Sequence, residues 1–191
     1  MQSNIHKLNI ENKLDCFYHH INIDLEKQLK IAKKVSNDLY LTILENKDYL
    51  NEMINQCNHG IKSLKNNLCI NHNDYKLLNT LWNGKNLTLI DFDALGLANP
   101  TCSLCESAYT FSYNNKIINY EFYKEYLKSY INNYGNIKEN YKEALYVSVN
   151  GKLQWLEYMF SKNNNYIDDT INMIKELIIY YKNLINLTIF L

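Results

Sequence analysis

Three oxygen-bearing side chains stand close together where the sequence changes character: Asp74, Asn79 and, beyond a turn-forming segment, Asp91. Between the last two, the run from Thr80 to Leu89 reads as two short β-prone segments flanking Asn83-Gly84. That pair accepts the positive φ of a tight turn, and the run predicts a hairpin. A hairpin brings its ends together, which gathers Asn79 and Asp91 with Asp74 on the adjoining loop. Hard oxygens of this kind suit Mg²⁺, which keeps several waters and takes one or two carboxylates together with substrate phosphates. A further carboxylate beside such an ion can orient a hydroxyl and take its proton. Asp and Asn in turns also serve the local backbone, so the ordered set carries the reading and no single member does. Asp93 receives no role. A second pattern, Cys102-Ser103-Leu104-Cys105, has the spacing of a redox pair or of half a zinc site, but no second such pair or His pair completes it.

The elements that must position these residues are mainly helices. Five Gly and a single Pro in 191 residues argue against a loop-rich all-β fold, and the length suffices to bury one core. Asp24 to Leu50 carries Leu25, Leu29, Val35, Leu39 and Ile43 at helical spacing, with Asp24 as the cap. A second helix is predicted from about Lys47 to Asn66, with Gly60 as its weak point. Leu68-Cys69-Ile70 is a short apolar run. Helical periodicity returns over 104–111, 120–134, 140–160 and 167–190, and the Asn pairs and triplets between these segments mark loops. The apolar tail from Ile171 is interrupted by Lys175, Glu176 and Lys182 and falls short of a membrane span. No repeat or linker divides the chain.

Charge excludes other functions. Lys+Arg and Asp+Glu both come to 20, and no basic stripe is visible, so recognition of nucleic acid through its phosphates is not expected. Every base is Lys. No step that needs a bidentate guanidinium can come from this chain. The five cysteines are an odd number and fit a reducing compartment, and the polar stretch Gln2 to Lys7 lacks the apolar core of a signal peptide. A cytoplasmic location is expected.

His72-Asn73-Asp74-Tyr75-Lys76-Leu77-Leu78-Asn79 matches the H-x-D-x-x-x-x-N catalytic loop of kinases, and Leu89-Ile90-Asp91-Phe92-Asp93 stands where those enzymes carry a metal-binding Asp. With the hairpin between them and Gly96-Leu97-Ala98-Asn99-Pro100 after them, residues 68–108 resemble the aminoglycoside phosphotransferase and choline kinase group of small-molecule kinases. Gly151 to Tyr158 resembles a helix of the bacterial members. The resemblance implies a mainly α (α+β) fold: the helical C-lobe of a protein-kinase-like architecture, spanning residues 1–191 as one domain, with a small β-hairpin carrying the catalytic and metal-binding loops. It implies ATP and Mg²⁺ as cofactors, and as acceptor the hydroxyl of an amino sugar, amino alcohol or similar metabolite.

Residue by residue, the resemblance makes Asp74 the catalytic base and sets Asn79 and Asp91 on the Mg²⁺ that holds the nucleotide phosphates. His72 would brace the loop. Lys76 stands where protein kinases carry a Lys that reaches the transferred phosphate. Trp155, Glu157 and Tyr158 become candidates for the acceptor pocket. The chain departs from the group in having no Gly-rich loop and no strand Lys before His72, so a nucleotide-covering N-lobe on another chain, or a second copy of this one, is the implied partner. Ser103 replaces a carboxylate that ties the catalytic loop to the next helix, a change expected to loosen that loop. Asn99 and Asn73 are milder departures. The alternative to an active transferase is an inactive kinase-like binding module, or half of a split enzyme.

Overall fold

Asp24 caps the first long helix as expected, its carboxylate accepting from the Lys27 N–H at 3.0 Å. The computed structural model describes residues 1–8, 14–64, 66–114, 117–134, 141–162 and 165–189. A short helix α1 (Gln2–Ile5) precedes α2 (Leu25–Val35) and the long α3 (Asn37–Leu64). The break between the last two falls at Ser36, well before the boundary that periodicity suggested near Lys47. Ser36 is extended (φ −157°, ψ 119°), and its hydroxyl accepts from the Leu39 N–H at 3.2 Å, so a Ser cap ends one helix and starts the next.

From Asn37 the helix continues without interruption through Gly60. It buries Ile43, Leu50, Met53 and Cys57 and packs against α2 and two later helices. Gly60 marks a close approach, because a Cβ there would lie 2.7 Å from a Val147 methyl and 3.2 Å from the Glu143 carbonyl oxygen. Gly60→Val is therefore expected to lower stability by about 2 kcal/mol through overpacking, read as a fall of about 4–8 °C in thermal midpoint. Gly60→Ala places its methyl against the same two atoms, a methyl of the buried, β-branched Val147 and a backbone oxygen, and should lower stability by about 1 kcal/mol, less than Val because helix propensity offsets part of the clash.

The chain then turns to short strands: β1 (Cys69–Asn71), a 3₁₀ turn (Leu77–Asn79), β2 (Thr80–Asn83), β3 (Asn86–Leu89) and β4 (Gly96–Ala98). β1 pairs antiparallel with β4, placing Asn71 opposite Gly96, and Cys16 bridges to Leu97 at the edge of that pair. β2 and β3 form the expected hairpin, with Thr80 opposite Leu89 and Asn83 opposite Asn86. Its two central residues are Gly84 and Lys85, one position later than the sequence suggested. Gly84 supplies the positive φ (60°), as the first position of a type II′ turn requires.

α4 (Pro100–Ser112) begins four residues before the predicted start. Asn99 caps it by accepting from Thr101 N–H (2.9 Å) and Cys102 N–H (3.3 Å), and Pro100 fits the first helical position. The Asn99 amide also donates to the carbonyls of Leu64 and Asn67, tying the end of α3 to the start of α4. A small ribbon, β5 (Tyr113–Asn114) with β6 (Ile117–Ile118), leads to α5 (Tyr120–Tyr134), whose bounds coincide with the expectation.

The single helix expected over 140–160 is two, α6 (Tyr141–Val147) and α7 (Asn150–Ser161). They are separated at Ser148, whose hydroxyl donates back to the Leu145 carbonyl; Asn140 itself lies outside the described residues. α8 (Ile167–Ile189) closes the fold against α3, α6 and α7, and the predicted end at Phe190 also lies outside the described residues. The core runs between α3, α4, α6, α7 and α8 through Leu104, Leu145, Leu153, Leu156, Ile174 and Leu177. The architecture is mainly α with small β-hairpins. Among the described residues no helix is long and apolar enough to cross a membrane.

Candidate active site

β1 delivers the chain to its polar loop. Asn71 and His72 are buried, and the backbone then passes through Asn73 in the left-handed region (φ 58°) to the half-buried Asp74. The turn that follows folds Asn79 back onto Asp74. Its Nδ2 donates to the Asp74 carbonyl at 2.9 Å and to carboxylate Oδ2 at 2.7 Å. Lys76 Nζ lies 2.8 Å from the same Oδ2, both side chains being about two-fifths exposed (42% and 36%). Three of the five candidate residues thus share one carboxylate oxygen.

The hairpin brings the fourth alongside. The Ile90 N–H donates to the Asn79 carbonyl at 3.0 Å, and His72 Nε2 donates to the Ile90 carbonyl at 2.9 Å. Asp91 follows directly in the left-handed region (φ 63°), with its side chain exposed. A non-glycine residue held there carries strain that the surroundings must impose, and such positions cluster at functional sites. His72 braces the two loops through that bond and packs its ring against Phe92, centroids 4.8 Å apart. Its buried Nδ1 has no hydrogen-bond partner. Asp93 is exposed.

The donor set fits a hard cation. With both Nδ2 hydrogens directed at Asp74, the Asn79 side chain is left with a carbonyl oxygen to offer, and Asp91 adds an exposed carboxylate on the adjoining backbone. Among the described residues no three His, Cys, Asp or Glu side chains cluster in a metal-holding group, so an ion here would complete its shell with phosphate oxygens and water.

The loop is better tied than the Ser103 replacement suggested. The Ser103 hydroxyl donates to Asn71 Oδ1 at 2.7 Å, the Asn71 amide donates to Asn73 Oδ1 at 2.6 Å, and the Asn73 amide donates to the Ala94 carbonyl at 2.9 Å. A neutral chain of hydrogen bonds therefore runs from α4 to both loops. Gly96 is required beside it, since a Cβ there would lie 3.0 Å from Asn73 Nδ2 and from the Asp15 carbonyl oxygen.

Sequence reasoning missed Glu106. It lies on α4, partly buried, and burial pushes its carboxyl up to about 7; Lys152 pulls it down and Asp74 pushes it further up. Beyond it a cavity of about 330 Å³ is lined by Tyr109, Tyr113 and Tyr180 with Lys152 and Glu176. The Tyr109 and Tyr113 rings stack at 5.2 Å, and Tyr180 leans on Tyr109 at 4.0 Å. The available signal was a lone charge within a helix of small and apolar residues. The α7 candidates lie elsewhere. Trp155 and Tyr158 stack on each other, and Glu157 accepts from the Asn22 N–H in a different depression, beside Lys27 and Gln28. Cys102 and Cys105 are both buried in α4, and burial pushes the Cys105 thiol up to about 12, far from the reactive thiolate a redox pair needs.

No protein-family model matches the sequence, and no curated protein matches it. Its fold does match solved structures. Choline kinase from Cryptosporidium parvum Iowa II superposes with a TM-score of 0.54 at 15% identity, covering 98% of this chain and 64% of that one. Ethanolamine kinase of Plasmodium vivax gives 0.50 at 12% identity, covering 96% and 56%. The chain thus has the fold of the corresponding part of these enzymes and spans less than two thirds of either one's length.

Proposed function

We propose that this chain is the catalytic-loop lobe of a small-molecule phosphotransferase, moving the γ-phosphate of ATP to the hydroxyl of a small amino alcohol. The observation that carries the reading is the convergence of Asp74, Lys76 and Asn79 on one carboxylate oxygen, beside the strained Asp91, in a fold like that of two such kinases. Asp74 aligns the acceptor hydroxyl and takes its proton. Asn79 and Asp91 would hold Mg²⁺, which would supply the positive charge that neutralises the nucleotide phosphates. Lys76, paired with Asp74 here, swings to the transferred phosphate when the triphosphate arrives. His72 holds the two loops at their spacing.

Glu176 and the tyrosine rings line the cavity with Lys152, and Glu106 lies close enough to be felt by Lys152 and Tyr180, so two carboxylates and π faces stand against one ammonium, surroundings that favour an organic cation. That points to a choline-like or ethanolamine-like acceptor rather than a neutral one. The nucleotide-covering part of such an enzyme is supplied from outside these residues. A second reading, a kinase-like module that binds a partner without turnover, draws on the apolar face beside Asn79, where Leu78 is 83% and Trp82 63% exposed.

The test is ATP consumption by the purified chain with Mg²⁺ and a panel of choline, ethanolamine and aminoglycosides. Turnover with a cationic alcohol, lost in EDTA and reduced about a hundredfold or more by Asp91→Ala, is expected. A lack of turnover with every acceptor, together with no Mg²⁺-dependent binding of ATP, would overturn the reading of this loop as a phosphotransfer site.

A further inference from the structure

Asn71 is the hub of a buried network that leads away from the site. Its amide is spent on Asn73, so its Oδ1 accepts both remaining bonds, from Ser103 Oγ at 2.7 Å and from His6 Nε2 at 3.0 Å. An amide oxygen cannot donate, which fixes the His6 proton on Nε2 and makes Nδ1 the acceptor of the Tyr130 hydroxyl at 2.6 Å. Burial holds the imidazole down at about 4, so it is neutral at ordinary pH.

Four residues earlier, the Gln2 amide donates to Ser103 Oγ at 2.9 Å and to Ser107 Oγ at 3.1 Å, and its carbonyl accepts from the Tyr126 hydroxyl at 3.0 Å. Gln2, His6, Asn71, Ser103 and Ser107 are all buried. A helix as short as α1 has no stability of its own. Its order comes from this network and, by the same bonds, the network depends on it.

Resting on the phosphotransferase reading above, we propose that Gln2 and His6 are positioning residues for the catalytic loop. They touch no reacting atom. They act through Asn71, whose amide holds Asn73 in its left-handed conformation just before Asp74, and through the Asn73–Ala94 bond, which reaches the loop after Asp91. One side-chain path thus sets the backbone on both sides of the site from an element distant in sequence.

The test is hydrogen exchange of the intact chain carrying His6→Ala, Gln2→Ala or His6→Gln. Peptides over 69–79 and 91–96 should exchange about tenfold faster in both alanine variants while α7 and α8 stay unchanged. His6→Gln, which can keep a donor toward Asn71 and an acceptor toward Tyr130, should restore protection. Unchanged exchange in those two loops, or a rise spread evenly over α7 and α8, would overturn the proposal. If His6→Ala fails to fold, Gln2→Ala decides by the same comparison. Where turnover is measured, kcat should fall about tenfold with the KM for ATP unchanged. The exchange result stands whether or not the chain turns over ATP, so the failure of either reading is visible separately.

Discussion

Asp74→Asn is expected to reduce acceptor phosphorylation by about 10³-fold or more in kcat, within the range a positioned general base contributes. The substitution suits the site because its shape is kept. An Asn carbonyl can still accept from the Asn79 amide, which holds the turn at 2.7 Å in the native protein. What disappears is the negative charge that pairs with Lys76 and the lone pair that would take the hydroxyl proton. The pair is about two-fifths exposed, so its loss should cost less than about 1 kcal/mol in stability. Thermal midpoint and Mg-nucleotide affinity should therefore be almost unaltered while kcat collapses. A kcat within a few-fold of the native value would remove Asp74 from the chemistry and leave the loop as scaffold.

Glu106→Gln separates function from stability in opposite directions. The native carboxyl titrates at about 7 in the folded chain against an ordinary value of 4.5, because burial and the Asp74 charge outweigh Lys152. A folded value raised in this way means that the contribution of Glu106 to stability is fully present below about pH 4.5 and is lost as pH rises through 7. Above that pH the Gln variant should be the more stable protein by about 2 kcal/mol, below the full conversion of the shift because the side chain is only partly buried. Near pH 4 the two should unfold alike.

The acceptor responds the other way. If the ionised carboxylate holds a cationic alcohol, the native KM falls as pH rises through 7, and the Gln variant shows a flat profile with a KM about tenfold higher at pH 8. Denaturant unfolding at pH 4 and 8, with acceptor titrations across the same range, reads both. A KM unchanged at pH 8 would remove Glu106 from acceptor binding.

The parts of the site that could be read from the sequence are those fixed by local geometry. His72 to Asn79 is a single turn of chain, and the hairpin that returns Ile90 to Asn79 depends on a two-residue turn with a glycine in it. Cap chemistry was legible at Asp24 and overlooked at Ser36, where a hydroxyl stops a run that apolar spacing alone would have carried through. Periodicity also ran through Ser148, because a two-residue interruption between α6 and α7 keeps buried positions on both sides nearly in phase. Glu106 and the His6–Asn71–Ser103 contacts lay beyond reach for another reason. They exist only once α1, α4 and β1 are packed, and no spacing encodes a contact 65 residues apart in sequence. The surroundings of α7 depend on packing in the same way: one face of that helix reaches the cavity through Lys152, while Glu157 meets the backbone at Asn22.

The hairpin has one more consequence, and it is optical. The chain has two tryptophans. Trp155 is stacked against Tyr158 with centroids 5.0 Å apart, whereas Trp82 stands on β2, exposed, within a few residues of Asn79. Its indole samples bulk water when the hairpin face is bare and would lose that water if the proposed nucleotide or a covering lobe settled there. The protein thereby carries, without any label, an exposed fluorophore on the hairpin that follows Asn79, and a Trp155→Phe background would let that single emitter be followed by itself.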